Sequence, residues 1–346
     1  SAGTATSPAD FTATGPATLT FSPGVTTLNF LVPVIGETIF ESNETFSVTL
    51  SAPTNSTLFT AVGAGTINND DGQPAISISN ATVTEGNSGT TNATFVVSLS
   101  NPSSQTITVS AMTSAGTATS PADFTATGPT TLTFSPGVTT QNFLVPVIGD
   151  TIFESNETFS ATLSSPANAT IAVSVGTGTI TNNDAQPTIS ISNATVAEGN
   201  SGTTNASFVV SLSNPSSQTI TVSAVTSAGT ATSPADFTAT GPATLTFGPG
   251  VTSQNFVVPV IGETTFESNE TFSATLSAPN NATIAVSVGT GTITNDDTAP
   301  TVSINDVAVT EGNAGTTNAT FTVSLSAPAG PTVTASAATA NNSAVA

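Results

Sequence analysis

The chain contains no lysine, arginine, histidine, cysteine, tyrosine or tryptophan, and its one methionine is Met112. Each absence removes a class of function. Without a side-chain cation the chain cannot neutralise phosphates, which excludes nucleic acid as a partner. It has no basic patch to hold anionic lipid. Without thiol or imidazole it cannot ligate zinc, haem or an iron–sulfur cluster through the usual donors. His and Lys general bases are missing, and with them every Ser–His or Cys–His nucleophile. The longest apolar runs, such as Phe143 to Ile148, are too short to cross a bilayer and are broken by Pro146, so direct membrane insertion is not expected. Lysine-based isopeptide staples are ruled out. So is cleavage by trypsin, which suits an exposed extracellular life. Zero cysteine does not assign a compartment; it says only that disulfides are not the stabilising device. The chain opens on Ser1 with no signal peptide, which is expected of a mature fragment or a window from something longer.

What is present is acidic, small and repetitive. Among 346 residues there are 21 Asp and Glu, for a net charge of −21, yet only 6% of residues are charged. Aliphatic residues and 19 Phe supply enough apolar surface for real cores, so the acid content does not imply disorder. The stretch from Ser1 to Phe11 returns at Ser114 to Phe124 and at Ser227 to Phe237, a period of 113 residues. Residues 1–53 and 114–166 differ at five positions only: Ala17, Leu28, Glu37, Val48 and Ala52 become Thr130, Gln141, Asp150, Ala161 and Ser165. A period of this length is a whole domain rather than a solenoid turn. Short Pro-containing junctions follow the acidic clusters ending at Asp71, Asp184 and Asp297, and set the module boundaries. The expected organisation is a partial module at 1–71, complete modules at 72–184 and 185–297, and a partial module at 298–346. The split module is completed either by neighbouring chains or by sequence outside the window.

Within a module the pattern is β. In 72–184, apolar residues alternate with polar ones at Ile76/Ile78, Phe95/Val97/Leu99, Ile107/Val109/Ala111, Leu132/Phe134, Phe143/Val145/Val147, Phe159/Ala161/Leu163 and Ile171/Val173/Val175. Period-2 alternation over short runs reads as half-buried strands. Asn101-Pro102, Gly128-Pro129, Ser135-Pro136-Gly137 and Ser165-Pro166 read as turns between them. About seven strands per module predicts an all-β chain of tandem immunoglobulin-like antiparallel sandwiches. The Phe residues flanking the Glu runs are expected in the cores. The Asn-x-Ser/Thr sequons, at Asn43, Asn80, Asn92 and Asn168 among others, are expected from composition alone.

The acids are not scattered. Glu85, Glu198 and Glu311 each lie in a Val-x-Glu-Gly turn, and Asp10, Asp123 and Asp236 in Ala-Asp-Phe. Glu37, Asp150 and Glu263 form a third set. The run Phe-Glu-Ser-Asn-Glu-Thr-Phe supplies Glu41 and Glu44, Glu154 and Glu157, and Glu267 and Glu270. Module ends carry Asp70 and Asp71, then Asp184, then Asp296 and Asp297; only Asp306 falls outside these sets. Close carboxylates repel by a few kcal/mol per pair at an effective dielectric of about 20, and no Lys or Arg offsets that. The counter-charge this points to is a hard cation on an all-oxygen ligand set, and Ca2+ suits irregular loop geometry better than Mg2+. Glu85, Asp123, Glu154, Glu157 and Asp184 are expected to meet in one cluster at one end of the sandwich.

Taken together, Val-x-Glu-Gly, Ala-Asp-Phe, Phe-Glu-x-x-Glu-x-Phe and the terminal Ile-x-Asn-Asn/Asp-Asp resemble the Calx-beta domain, a family named from sodium–calcium exchangers and found in tandem in large bacterial surface proteins. The resemblance covers the whole chain. It implies a seven-stranded sandwich with a Ca2+ cluster at one end. The ligands it implies in the second module are Glu85, Asp123, Asp150, Glu154, Glu157 and Asp184, with Asn183 as a further donor. In the third they are Glu198, Asp236, Glu263, Glu267, Glu270, Asp296 and Asp297. The first carries Asp10, Glu37, Glu41, Glu44, Asp70 and Asp71, and the last retains Glu311. Two departures stand out. Asn69, Asn182 and Asn295 occupy the first place of what is an aspartate triplet in calcium-rich members, with Asn183 at a second, and Gly36, Gly149 and Gly262 stand where an acid can occur.

Asp184 lies three residues before Pro187, so a metal there sits at a hinge between modules. The expected function is a non-enzymatic, calcium-stiffened repeat region of an extracellular or cell-surface protein: a stalk, adhesin or filament. Its expected partners are neighbouring modules or copies of itself, and a surface receptor or matrix. The alternatives are a calcium-sensing regulatory module, or a filament subunit completed by strand exchange. A carboxylate pair could hydrolyse glycosides, but no Trp or Tyr platform exists and the acids are better explained as ligands.

Overall fold

The computed structural model describes residues 3–340; residues 1–2 and 341–346 lie outside it. All its regular structure is β. Among the described residues no helix is long and apolar enough to cross a membrane. The chain divides into two compact units. One runs to Asp150 and resumes over Ser155–Asn183; the other takes Thr151–Glu154 and everything from Asp184.

The first unit opens with an antiparallel pair, β1 (Glu44–Thr49) and β2 (Val62–Ile67). A sandwich follows, built from β3 (Ala75–Ile78), β4 (Ala81–Thr84), β5 (Thr90–Leu99), β6 (Ile107–Ala115), β7 (Thr130–Phe134), β8 (Thr140–Ile148), β9 (Glu157–Ala167), β10 (Thr170–Val173) and β11 (Val175–Thr181). One sheet has the order β10-β3-β5-β8 and the other β4-β11-β9-β6-β7. Alternation decides the faces. In β5, Ala93, Phe95, Val97 and Leu99 are buried while Thr94 and Val96 face out. Burying one face of each sheet against the other is what holds the pair together. The core closes around Phe95, Phe143, Phe159 and Phe124. The Phe95 ring meets Phe159 edge-on at 5.8 Å, and the Phe124 ring stacks on Phe159 at 4.6 Å.

The second unit repeats this with β12 (Thr188–Ile191), β13 (Ala194–Ala197), β14 (Thr203–Leu212), β15 (Ile220–Ala228), β16 (Ala243–Phe247), β17 (Ser253–Ile261), β18 (Glu270–Asn280), β19 (Thr283–Val286) and β20 (Val288–Thr294). Its sheets run β17-β14-β12-β19 and β13-β20-β18-β15-β16. It ends with the pair β21 (Val302–Ile304) and β22 (Val323–Leu325).

Two sequence expectations need correction. Ile171, Val173 and Val175 do not form one strand. The chain crosses between sheets at Ser174, whose carbonyl accepts from the Leu163 amide at 2.7 Å, and Val173 and Val175 are exposed. The inward positions of β11 are instead Gly176, Gly178 and Ile180. A Cβ on Gly178 would lie 2.5 Å from the Phe159 ring, so the glycine makes room for the core aromatic. The first strand likewise divides, β3 going to one sheet and β4 to the other. Nine strand segments thus stand where about seven were counted. The Phe residues flanking the Glu runs also part company: Phe159 and Phe272 are core, whereas Phe153 and Phe266 are only half-buried and belong to neither core.

Candidate metal centre

Three features of the fold bring the acids to one end of each sandwich. The clearest case is the second unit. There β13 and β20 pair in parallel, with Ala197 opposite Thr294. Parallel strands end on the same side, so Glu198 and Asn295-Asp296-Asp297 leave the sheet next to each other. Gly199 N–H donates to Asp296 Oδ1 at 3.1 Å, and Asn200 Nδ2 to Asp297 Oδ1 at 3.0 Å. The second feature is Gly262. A Cβ there would lie 2.4 Å from Gly199 O and 2.8 Å from Glu198 O. This glycine lets the loop after β17 close on the Glu-Gly turn and delivers Glu263 to Glu198. Gly149 makes the same approach to Glu85 and Gly86 in the first unit. At Gly149 and Gly262 the glycine is therefore a packing requirement.

The third feature is a ring stack. Phe237 and Phe272 stack at 4.6 Å, and their neighbours in sequence are Asp236 and, two residues earlier, Glu270. Asp236 is further fixed because Thr232 N–H and Oγ1–H donate to its Oδ2 at 2.6 and 3.2 Å. Its own carbonyl accepts from Ile261 N–H. Phe11 and Phe46 at 4.9 Å place Asp10 and Glu44 in the same way.

In the second unit the acids fall into two neighbouring groups of three carboxylates. Glu198, Glu263 and Asp297 form a strand-end group, each offering an oxygen within 4.8 Å of the others. Asp236, Glu267 and Glu270 form a loop group on the same criterion, as do Asp10, Glu41 and Glu44 in the first unit. All six acids of the first module, Asp10, Glu37, Glu41, Glu44, Asp70 and Asp71, line one hollow. In the first unit's sandwich, Asp123 and Glu157 hold the positions equivalent to Asp236 and Glu270. Glu85 and Asp150 flank the Gly149 approach, and Asn183 Oδ1 accepts from Gly86 N–H at 3.0 Å, as Asp296 does in the second. Glu154 and Asp184 belong to the other compact unit. Glu311 and Asp306 are exposed and join no three-acid group among the described residues.

The strand-end group carries the sharpest electrostatic signal. Glu198 is buried, 5% exposed. Glu198 Oε1, Glu263 Oε1 and Asp297 Oδ2 are each buried without a hydrogen-bond partner. An unpaired buried carboxylate oxygen is costly, and three facing one another more so. Desolvation first, then the charges of Glu263, Glu267, Asp297 and Asp296, push Glu198 up to about 7. Desolvation, then Asp296 and Glu263, also raise Asp297. In the loop group desolvation and Asp236 raise Glu270, which shares a hydrogen bond with Asp236. Desolvation and Glu263 raise Glu267. The first unit behaves alike: desolvation raises Glu41, with Glu37 next, and raises Glu44, with Asp10 next.

The sequence marks Asn69 and Asn295 only as departures; the structure gives them a part in holding these loops. Asn295 Oδ1 accepts from Glu267 N–H at 3.0 Å while its Nδ2 donates to Asp297 O at 3.0 Å. Asn69 does the same with Glu41 and Asp71. Asn43 and Asn269 accept from the amides of Asn69 and Asn295. Asparagine at position 295 both accepts and donates, which an ionised carboxylate cannot do.

Buried, orphaned, all-oxygen donors from three strand ends fit a hard divalent cation. A search of curated proteins finds no match. Among solved structures, the crystal structure of CBD12 from CALX1.2 is 21% identical over 60% of this chain and 81% of that one, with a TM-score of 0.31. That of the calcium binding domain CBD12 of CALX1.1 is 22% identical over 59% and 80%, TM-score 0.29. The apo-form Calx CBD1 domain is 29% identical over 32% and 99%, TM-score 0.29. The Calx-beta domain model matches three times in succession, over residues 1–71, 69–186 and 182–298. The chain belongs to the Calx-beta family.

Proposed function

We propose that this chain is a calcium-binding structural repeat, part of an extracellular or cell-surface stalk, adhesin or filament, and that Ca2+ stiffens it at the module ends. The observation that carries the reading is the trio of buried, unpartnered oxygens on Glu198, Glu263 and Asp297. At 4.8 Å and an effective dielectric of about 20, each pair of charges repels by about 3 kcal/mol before solvent screening. The chain has no side-chain cation to relieve this. A bound Ca2+ would be held by Glu198, Glu263 and Asp297, and a second by Asp236, Glu267 and Glu270. It supplies positive charge and a fixed coordination shell, so the loops that carry those acids cease to repel. Near-identical repetition and a cation-free surface without trypsin sites favour a structural, non-catalytic role outside the cell. Ambient calcium there is high enough to fill sites with dissociation constants of about 10⁻⁴–10⁻³ M.

Calorimetric titration of the EGTA-stripped chain tests this. Saturable binding of Ca2+ well ahead of Mg2+, a higher melting temperature and a stiffer particle in small-angle scattering are expected. Equal, weak responses to both cations, with unchanged melting and scattering, would sink the reading.

A further inference from the structure

The half-buried Phe residues that are missing from the cores have another role. Phe40 lies just ahead of β1, whereas Ser103 lies just after β5, in the next sandwich of the same compact unit. The two form a parallel bridge. Phe40 N–H donates to Pro102 O at 2.9 Å, and Phe40 O accepts from Ser104 N–H at 3.1 Å and from Ser103 Oγ at 3.1 Å. Ser103 is 2% exposed, and its hydroxyl also accepts from Gln105 N–H at 3.0 Å. The second unit holds the same arrangement. Phe153 bridges Ser216, which is also 2% exposed, donates to Phe153 O at 3.0 Å and accepts from Gln218 N–H at 3.0 Å. The third instance differs in one respect. Phe266 bridges Ala329, and Gly330 N–H donates to Phe266 O at 3.0 Å, but Ala329 has no hydroxyl to add.

We propose that the Asn-Pro-Ser turn after the long strand is a docking socket for the Phe-Glu loop of the preceding module, that the buried hydroxyls of Ser103 and Ser216 set its strength, and that the socket at Ala329 is the weak joint of the chain. The socket binds backbone, through one parallel bridge and a carbonyl whose two lone pairs are both satisfied. At the first joint one side-chain bond adds to this, Gln105 Nε2 donating to Ser42 Oγ at 3.2 Å. Removing the hydroxyl leaves the amide two residues on without its acceptor and the loop carbonyl with one donor instead of two, where water has little access. The Ala327-Pro328-Ala329-Gly330-Pro331 turn has dropped both the serine and the glutamine of its counterparts, Asn101–Gln105 and Asn214–Gln218. Rigidity along the chain is therefore uneven even though the modules are near copies.

This goes beyond the calcium reading and does not rest on it, since every bond named is made by the chain alone. Hydrogen exchange of the full chain in EGTA, read by mass spectrometry, tests it. The Gly330 amide is expected to exchange about tenfold faster than those of Ser104 and Ser217. In Ser103→Ala, Phe40, Ser104 and Gln105 should speed up about tenfold while β6 keeps its protection. Unchanged protection at Phe40 and Ser104 would overturn the proposal, as would equal loss throughout β6, which would make the hydroxyl a support of its own module. Ala329→Ser decides the matter independently of whether Ser103→Ala folds: slower exchange at Gly330 supports the socket, and no change overturns it.

Discussion

The two acidic groups of the second unit use the same side chains and solve the same electrostatic problem differently. The strand-end group is carried by closely packed backbone: Glu198 and Asp297 follow paired parallel strands, and Glu263 follows the closely packed Gly262. Its oxygens are buried and orphaned. The loop group sits on longer connections, and Glu270 relieves its charge by sharing a hydrogen bond with Asp236. Both groups can take up a proton, since Glu198 and Glu270 are each pushed up to about 7, but the strand-end oxygens are buried without a hydrogen-bond partner whereas Glu270 shares one with Asp236. The comparison teaches that rigidity of the ligand frame, more than the number of acids, decides which group most needs metal.

The strongest way to break the comparison is to move the frame. Gly262→Ala puts a Cβ 2.4 Å from a backbone oxygen, and should cost about 2–4 kcal/mol and abolish the strand-end site. Gly36→Ala, at the equivalent place in the first module but in open space, should cost nothing measurable. Calorimetric scans of the two variants, with and without Ca2+, check this; equal losses would mean that the close approach does not build the site.

A smaller effect separates the groups by charge. Glu198→Gln should weaken one class of calcium site at least tenfold, about 1.4 kcal/mol. It should also raise the melting temperature of the metal-free chain, because a repelling buried charge is gone. Glu270→Gln should weaken calcium binding less and raise metal-free melting less, since part of the repulsion on Glu270 is already relieved by the hydrogen bond it shares with Asp236. Titration calorimetry on both variants gives the order, and the reverse order would refute the contrast.

The third test is pH. Glu198 is held at about 7 in the folded chain, against an ordinary value of 4.5. The folded state then binds more protons than the unfolded state between these values, so metal-free stability falls as pH rises from 4.5 to about 7 and levels off above. Melting in EGTA should be higher at pH 5 than at pH 8. Saturating Ca2+ should flatten or reverse the trend, because the metal holds the carboxylates ionised. Glu198→Gln should reduce the slope, and Glu270→Gln, whose carboxyl is also pushed up to about 7, should reduce it as well.

How much of this was legible in the sequence depends on how local the determinants are. The alternation at Phe95, Val97 and Leu99 fixes both the strand and its buried face, so the all-β sandwich could be read directly. The acids at a fixed period of 113 could be read as one end of a repeated domain. The crossing at Ser174 could not, because the Val173 and Val175 alternation looks the same whether one sheet or two receives it. Nor could the fate of Phe153 and Phe266, which carry the same local pattern as the core rings Phe159 and Phe272. Their partners are about 63 residues away, in a turn with no apolar signature. Gly262 and Asn295 stand out in the sequence as departures, but their packing roles are not legible there for the same reason. Each answers to a backbone contact made by a distant loop, and a single sequence does not display such contacts.

Asn295→Asp gives the smallest change and the most informative sign. The asparagine accepts from Glu267 N–H and donates to Asp297 O. An aspartate keeps the first bond, loses the second, and turns a lone pair toward a carbonyl already close by. That should cost the metal-free chain about 1 kcal/mol. The substitution also adds a carboxylate beside Asp296 and Asp297, which lie next to the strand-end group. Calcium should then gain affinity, so the stability difference from the parent should shrink or reverse sign as Ca2+ rises. Melting curves at low and saturating Ca2+ measure that crossing. A cost that stays constant with calcium would mean that position 295 belongs only to the loop staple and lies outside the reach of the metal.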